Sequence, residues 1–275
     1  MLFVGRLFLF IALTFVFAGV LDAVLSFAWP LLIYDRDIPR LVGKFLLPQL
    51  YLCIGCLCAA GIVLRLEGCG WKALEINISG RWRDVFEGFV WALLLYAVGF
   101  GASLAMGWVT VVDAMVNVEM LLLTWVFFLL VSVFEEVLVR GYVLGGLLRL
   151  GVHPVRAVLS SAILFAVLHV GNPNLTWLSM LNLALAGVFL GLGYLHTRNL
   201  WFPISLHLFW NWLQGPVLGY EVSGVGMEQA GLKLELSDAT LWNGGAFGFE
   251  GSLVCTLLLI IACWLLGRRC NHRLS

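Results

Sequence analysis

Apolar runs long enough to cross a bilayer, about 20 residues each, recur from one end of the chain to the other. They fall at roughly 7–33, 45–64, 86–109, 121–149, 155–171, 177–196, 200–219 and 251–267. The breaks between them carry charge or turn chemistry, as in Asp35-Arg36-Asp37-Ile38-Pro39, Gly171-Asn172-Pro173-Asn174 and His196-Thr197-Arg198-Asn199. A segment surrounded by lipid has to satisfy its own backbone, which selects helix over open strand. The pattern therefore predicts an all-α, polytopic membrane protein, a bundle of about eight transmembrane helices. The longest break, about 220–250, is Gly-rich and acidic, with Glu221, Glu228, Glu235, Asp238 and Glu250 against Lys233. It is too short for a second domain and no internal repeat is visible, so residues 1–275 read as a single transmembrane domain.

Charge fixes the orientation. With the N-terminus inside, the outer breaks collect Arg36, Arg40, Lys44 and Lys233, and Arg140 stays at membrane depth. The remaining eleven of the 16 basic residues fall on the cytoplasmic side. Such a bias is the positive-inside pattern, and it places both termini in the cytoplasm. The first run is too long for a signal peptide's apolar core and reads as a retained span. Asp22 within it is expected to make a polar contact facing the bundle.

Composition excludes several classes. Hydrophobic residues make up 62% of the chain and charged residues 12%, against about 25% charged in soluble domains. Net charge is zero, and no basic patch with interleaved aromatics offers a nucleic-acid surface. Cys53, Cys56 and Cys58 lie in an apolar run with no second CxxC, where cysteine acts as a small hydrophobe.

The chemistry sits in the run Phe134-Glu135-Glu136-Val137-Leu138-Val139-Arg140. Charges at membrane depth are costly and mark function. His169, His207 and Asn211 accompany them in other spans. At 1.5 Å per residue, Glu135 and His169 both lie roughly 21 Å from the cytoplasmic ends of their spans, Asn211 roughly 16 Å and His207 roughly 10 Å. All four fall in the middle half of a hydrocarbon core about 30 Å thick, so one site can be built from three helices. Glu136 and Arg140 are four apart and share a face. Glu135 is turned by about 100° from Glu136, which leaves it to face a cavity. His207 and Asn211, also four apart, point into the same space. Trp210 and Trp212, on either side of Asn211, are expected to pack or anchor.

A glutamate desolvated in a bundle makes a general base for water, His169 can hold the same water, and His207 with Asn211 can donate to an oxyanion. A serine triad and HExxH are absent. Glu135, His169 and His207 are still a ligand set that zinc hydrolases use. A proton-coupled transporter also places acids and histidines in its spans, but many such carriers show an internal repeat.

Three motifs in order resemble the CAAX prenyl endopeptidase and bacteriocin-processing (CPBP, or Abi) family of intramembrane proteases. EExxxR reads Glu135-Glu136 to Arg140, FxxxH reads Phe165 to His169, and HxxxN reads His207 to Asn211. The stretch Gly244–Ser252 also resembles bacterial members, which suggests a bacterial inner membrane. The resemblance implies peptide-bond hydrolysis within the bilayer, with a membrane-associated protein or peptide as substrate and a catalytic core over about 121–219. By position, Glu135 would activate water with His169 beside it. His207 and Asn211 would form the oxyanion hole, and Glu136 and Arg140 would orient the others. Members are described both as metalloproteases and as glutamate-dependent enzymes. Asparagine suits an oxyanion better than zinc, so no cofactor is the favoured expectation, with zinc on Glu135, His169 and His207 as the alternative. A non-catalytic immunity protein would keep the same fold.

Overall fold

The computed structural model describes residues 2–32, 45–227 and 230–270. The break Asp35 to Pro39, with Arg36, Arg40 and Lys44, lies outside the described residues, as do Glu228 and Arg273. Helices dominate: α1 (Leu2–Leu32), α2 (Leu47–Leu66), α3 (Trp82–Ala105), α4 (Val118–Glu136), α5 (Gly145–Arg149), α6 (Pro154–Leu168), α7 (Trp177–Thr197), α8 (Trp201–Trp212), the short α9 (Thr240–Asn243) and α10 (Leu253–Arg269). Among the described residues, five helical segments are long and apolar enough to cross a membrane: Phe3–Phe27, Leu47–Leu66, Trp82–Ala105, Val118–Arg149 and Trp177–Thr197. The helices α6, α8 and α10 are apolar but run 15, 12 and 17 residues, short of a full span. Large apolar side chains such as Phe8, Phe27, Phe86, Val98, Trp177 and Trp264 stand exposed on the helix flanks, a surface suited to lipid rather than water.

Two close approaches set the helices around the site. A Cβ on Gly88 of α3 would lie 2.6 Å from the Phe202 carbonyl oxygen of α8, and one on Gly187 of α7 would lie 2.8 Å from Ala162 Cα of α6. Small residues let backbones meet where lipid supplies no hydrophobic drive between helices. The helix α4 does not end at Glu136. It widens into a π-helical stretch, Val137–Leu144, and continues as α5. Such widened turns are frequent at functional sites, and this one carries Arg140 and Tyr142 into the core. Tyr142 stacks on Phe10 and donates to Glu67 across 2.8 Å.

The all-α expectation stands, and the structure adds one two-stranded ribbon to it: β1 (Val109–Ala114) pairs antiparallel with β2 (Leu232–Leu236), Val109 opposite Leu236, with a bulge between Val111 and Asp113. The β-branched Val109-Thr110-Val111-Val112 favours a strand once the backbone can pair. The break 220–250 is not all solvated loop, because Glu250 at its end is 8% exposed. Asp22 is exposed on α1, and its charge acts on Tyr51 of α2. The seven cysteines are free, with Cys53 and Cys56 buried in α2.

Candidate active site

A buried ion pair anchors the site. Glu136 and Arg140 are fully buried and meet through Oε1 and Nη1 at 2.7 Å. The other guanidinium nitrogen, Nη2, donates to the Gly187 carbonyl on α7 at 3.2 Å, and the guanidinium lies over the Phe165 ring of α6 at 4.5 Å. One arginine thus ties the π-helical stretch to α6 and α7. Glu136 Oε1 also accepts from His207 Nδ1 on α8 at 2.9 Å. A single carboxylate oxygen therefore links three of the predicted residues.

Glu135 lines the cavity, whereas Glu136 does not. Oε2 of each glutamate has no hydrogen-bond partner among the described residues. That of Glu135 is the one at the cavity. It lies 4.0 Å from His169 Nε2 and 4.0 Å from His207 Nε2. The two ring orientations follow from their other nitrogens. His169, the C-cap of α6, places Nδ1 2.7 Å from the Phe165 carbonyl oxygen. A carbonyl can only accept, so Nδ1 carries the proton. The carboxylate of Glu136 likewise holds a proton on His207 Nδ1. Both rings consequently present Nε2 towards Glu135.

These groups line a cavity of about 740 Å³ that also reaches Phe15, Phe128, Trp210 and Asn211. Asn211 is 7% exposed and lines the cavity. The structure thus brings together Glu135, His169, His207 and Asn211 at one cavity and places Glu136 and Arg140 behind it. Trp210 is buried against Tyr96 and Phe249, and Trp212 donates to the Leu121 carbonyl at 3.0 Å. Among the described residues, no group of three or more His, Cys, Asp or Glu is close enough to hold a metal ion.

Sequence reasoning missed part of the lining. Phe165 is a hub as well as a motif residue: its ring supports Arg140 and its carbonyl sets His169. Glu250, read as loop, lines the cavity together with Ser223. Near it, Gln214 is fully buried, accepts from the Tyr96 hydroxyl and donates to the Glu221 carbonyl at 2.6 Å. Burial pushes the Glu221 carboxyl above its ordinary range. An acid between glycines at the head of an apolar run was the available signal for Glu250.

A wholly buried ion pair, an unpaired carboxylate and two oriented imidazoles at an apolar cavity define a membrane-embedded site equipped for acid–base chemistry. Residues 115–213 match the family model described as Rce1-like, type II CAAX prenyl endopeptidase. That segment is similar to a family of peptide hydrolases, and all six predicted site residues fall within it. No curated protein and no solved structure matches the chain.

Proposed function

We propose that the protein is an intramembrane endopeptidase that cleaves a membrane-associated protein or peptide with water activated by Glu135. The observation that carries this reading is Glu135 Oε2, unpartnered and 4.0 Å from two imidazole nitrogens. Two hydrogen bonds of about 2.8 Å meeting at one water span that separation. The water donates one proton to Glu135 and the other to His169 Nε2. As its oxygen attacks the peptide carbonyl carbon, Glu135 takes the proton, and the new oxyanion accepts from Asn211 Nδ2 and His207 Nε2–H. Collapse breaks the C–N bond, and Glu135 hands its proton to the leaving amine.

This assignment needs His207 to carry two protons. Glu135, Glu136 and Arg140 sum to one negative charge, and an imidazolium brings the cluster to zero, which a desolvated site favours. Nδ1–H then stays on Glu136 while Nε2–H faces the cavity. Glu136 and Arg140 orient His207 and do not touch substrate.

The zinc alternative on Glu135, His169 and His207 has one observation in its favour, since both rings are fixed through Nδ1 as metal-bound histidines are. The chemistry of the fourth residue argues against it, because Asn211 suits an oxyanion better than zinc. Chelation should therefore leave turnover intact, whereas one tightly bound zinc per chain, required for activity, would overturn the metal-free mechanism.

The same reading places eight spans in the membrane, α6, α8 and α10 crossing with the help of flanking turns. Both termini are cytoplasmic, the catalytic core spans about 121–219, and the setting is a bacterial inner membrane. The test compares peptide fragments from membranes carrying wild type or Glu135→Gln. Fragments lost in the variant support the mechanism, and fragments equally abundant in both sink it.

A further inference from the structure

Glu250 is a buried carboxylate, 8% exposed, that no step above uses. Among the described ion pairs it has no cationic partner. Such a charge is expensive unless donors surround it, and here three do. Its Oε1 accepts from Trp210 Nε1 at 3.0 Å. Its Oε2 accepts from the Ser223 amide at 2.9 Å and the Ser223 hydroxyl at 2.8 Å. Its own carbonyl accepts from Asn182 Nδ2 on α7 at 2.7 Å. The residue thus joins α7 and α8 to the loop that follows α8.

That loop closes the cavity. Val222, Ser223, Val225, Gly226 and Met227 line it on the side of the α10 N-terminus. Val222 and Val225 pair with each other. Gly224, at φ +84°, is pressed between the Pro173 carbonyl and Phe247, a position no side chain fits. Gly224 donates to the Phe247 carbonyl at 3.0 Å. These ties hold the loop's tip, and Ser223 is where it bonds to the buried body of the protein through a side chain.

We propose that Glu250 is a positioning residue for substrate, latching Ser223 so that segment 222–227 forms a fixed wall of the reaction cavity. Both the Trp210 ring N–H and the Ser223 amide can only donate, so they need an acceptor at each oxygen. A carboxylate meets both. An amide of the same shape meets one and opposes the other, which frees either the wall or Trp210. Trp210 stays packed against Tyr96 at 4.9 Å, so the wall is the part that gives. The effect belongs to binding rather than chemistry, because the wall touches the cavity and not the Glu135 water.

This inference rests on the hydrolase reading, and its test separates the two. The probe is a quenched-fluorescent single-span peptide, chosen from a library because wild type cleaves it in dodecyl maltoside. Glu250→Gln should raise KM about tenfold and leave kcat within about threefold, with Ser223→Ala shifting KM the same way by less. Hydrogen exchange across 220–227 should quicken in Glu250→Gln while the unfolding midpoint holds. In the Glu135→Gln background, adding Glu250→Gln should weaken binding of the uncleaved peptide by a similar factor. A fall in kcat at constant KM would overturn the proposal, as would unchanged exchange across 220–227. Should Glu250→Gln fail to fold, Ser223→Ala decides: a raised KM supports the latch and an unchanged KM overturns it. Full activity in Glu135→Gln would end the mechanism while leaving the exchange and KM measurements to judge the wall.

Discussion

Adjacent glutamates end up in opposite environments because a helix turns about 100° per residue. Glu136 binds Arg140 and His207 through Oε1 behind the cavity, while Glu135 lines the cavity with Oε2 unpartnered. In the proposed mechanism Asn211 and His207 supply the donors for the oxyanion, whose hydrogen bonds strengthen as negative charge develops. His207→Ala and Asn211→Ala should each cut kcat by about 10²–10³ with KM little changed. Steady-state kinetics on one cleaved peptide checks this, and a rise in KM alone would remove the oxyanion role. The separation of the two acids was legible in the sequence from helical geometry alone. The hydrogen bond from His207 to Glu136 was not, because a contact between residues 71 apart depends on how α8 docks against α4.

The π-helical stretch after α4 is the element on which the site depends. It turns Arg140 inwards, where the guanidinium reaches Gly187 and Phe165 as well as Glu136. Removing one member of a buried pair strands the other charge, at a cost of about 3–5 kcal/mol. Arg140→Met should therefore lower the unfolding midpoint in detergent sharply, and Glu136→Gln/Arg140→Met together should lower it less. Equal loss in both would mean that the pair is not what holds this stretch. The helices themselves were legible as apolar runs. The β1–β2 ribbon was hidden, because β2 lies in an acidic segment whose partner strand is more than a hundred residues earlier. Glu250 was hidden for a related reason: an acid in a glycine-rich loop reads as solvated until the fold closes over it.

At the scale of the molecule, the account sets the ribbon and the acidic segment outside and the arginine-rich ends inside. An impermeant maleimide applied to intact cells should label Ser237→Cys and spare Ser79→Cys. The reverse pattern would invert the topology. The central claim is narrower and concerns one atom, Glu135 Oε2. Its most direct test is the kcat of purified Glu135→Gln, shown by its melting curve to be folded. Loss of the base should lower turnover about 10²–10⁴-fold, whereas turnover at the wild-type rate would contradict the account.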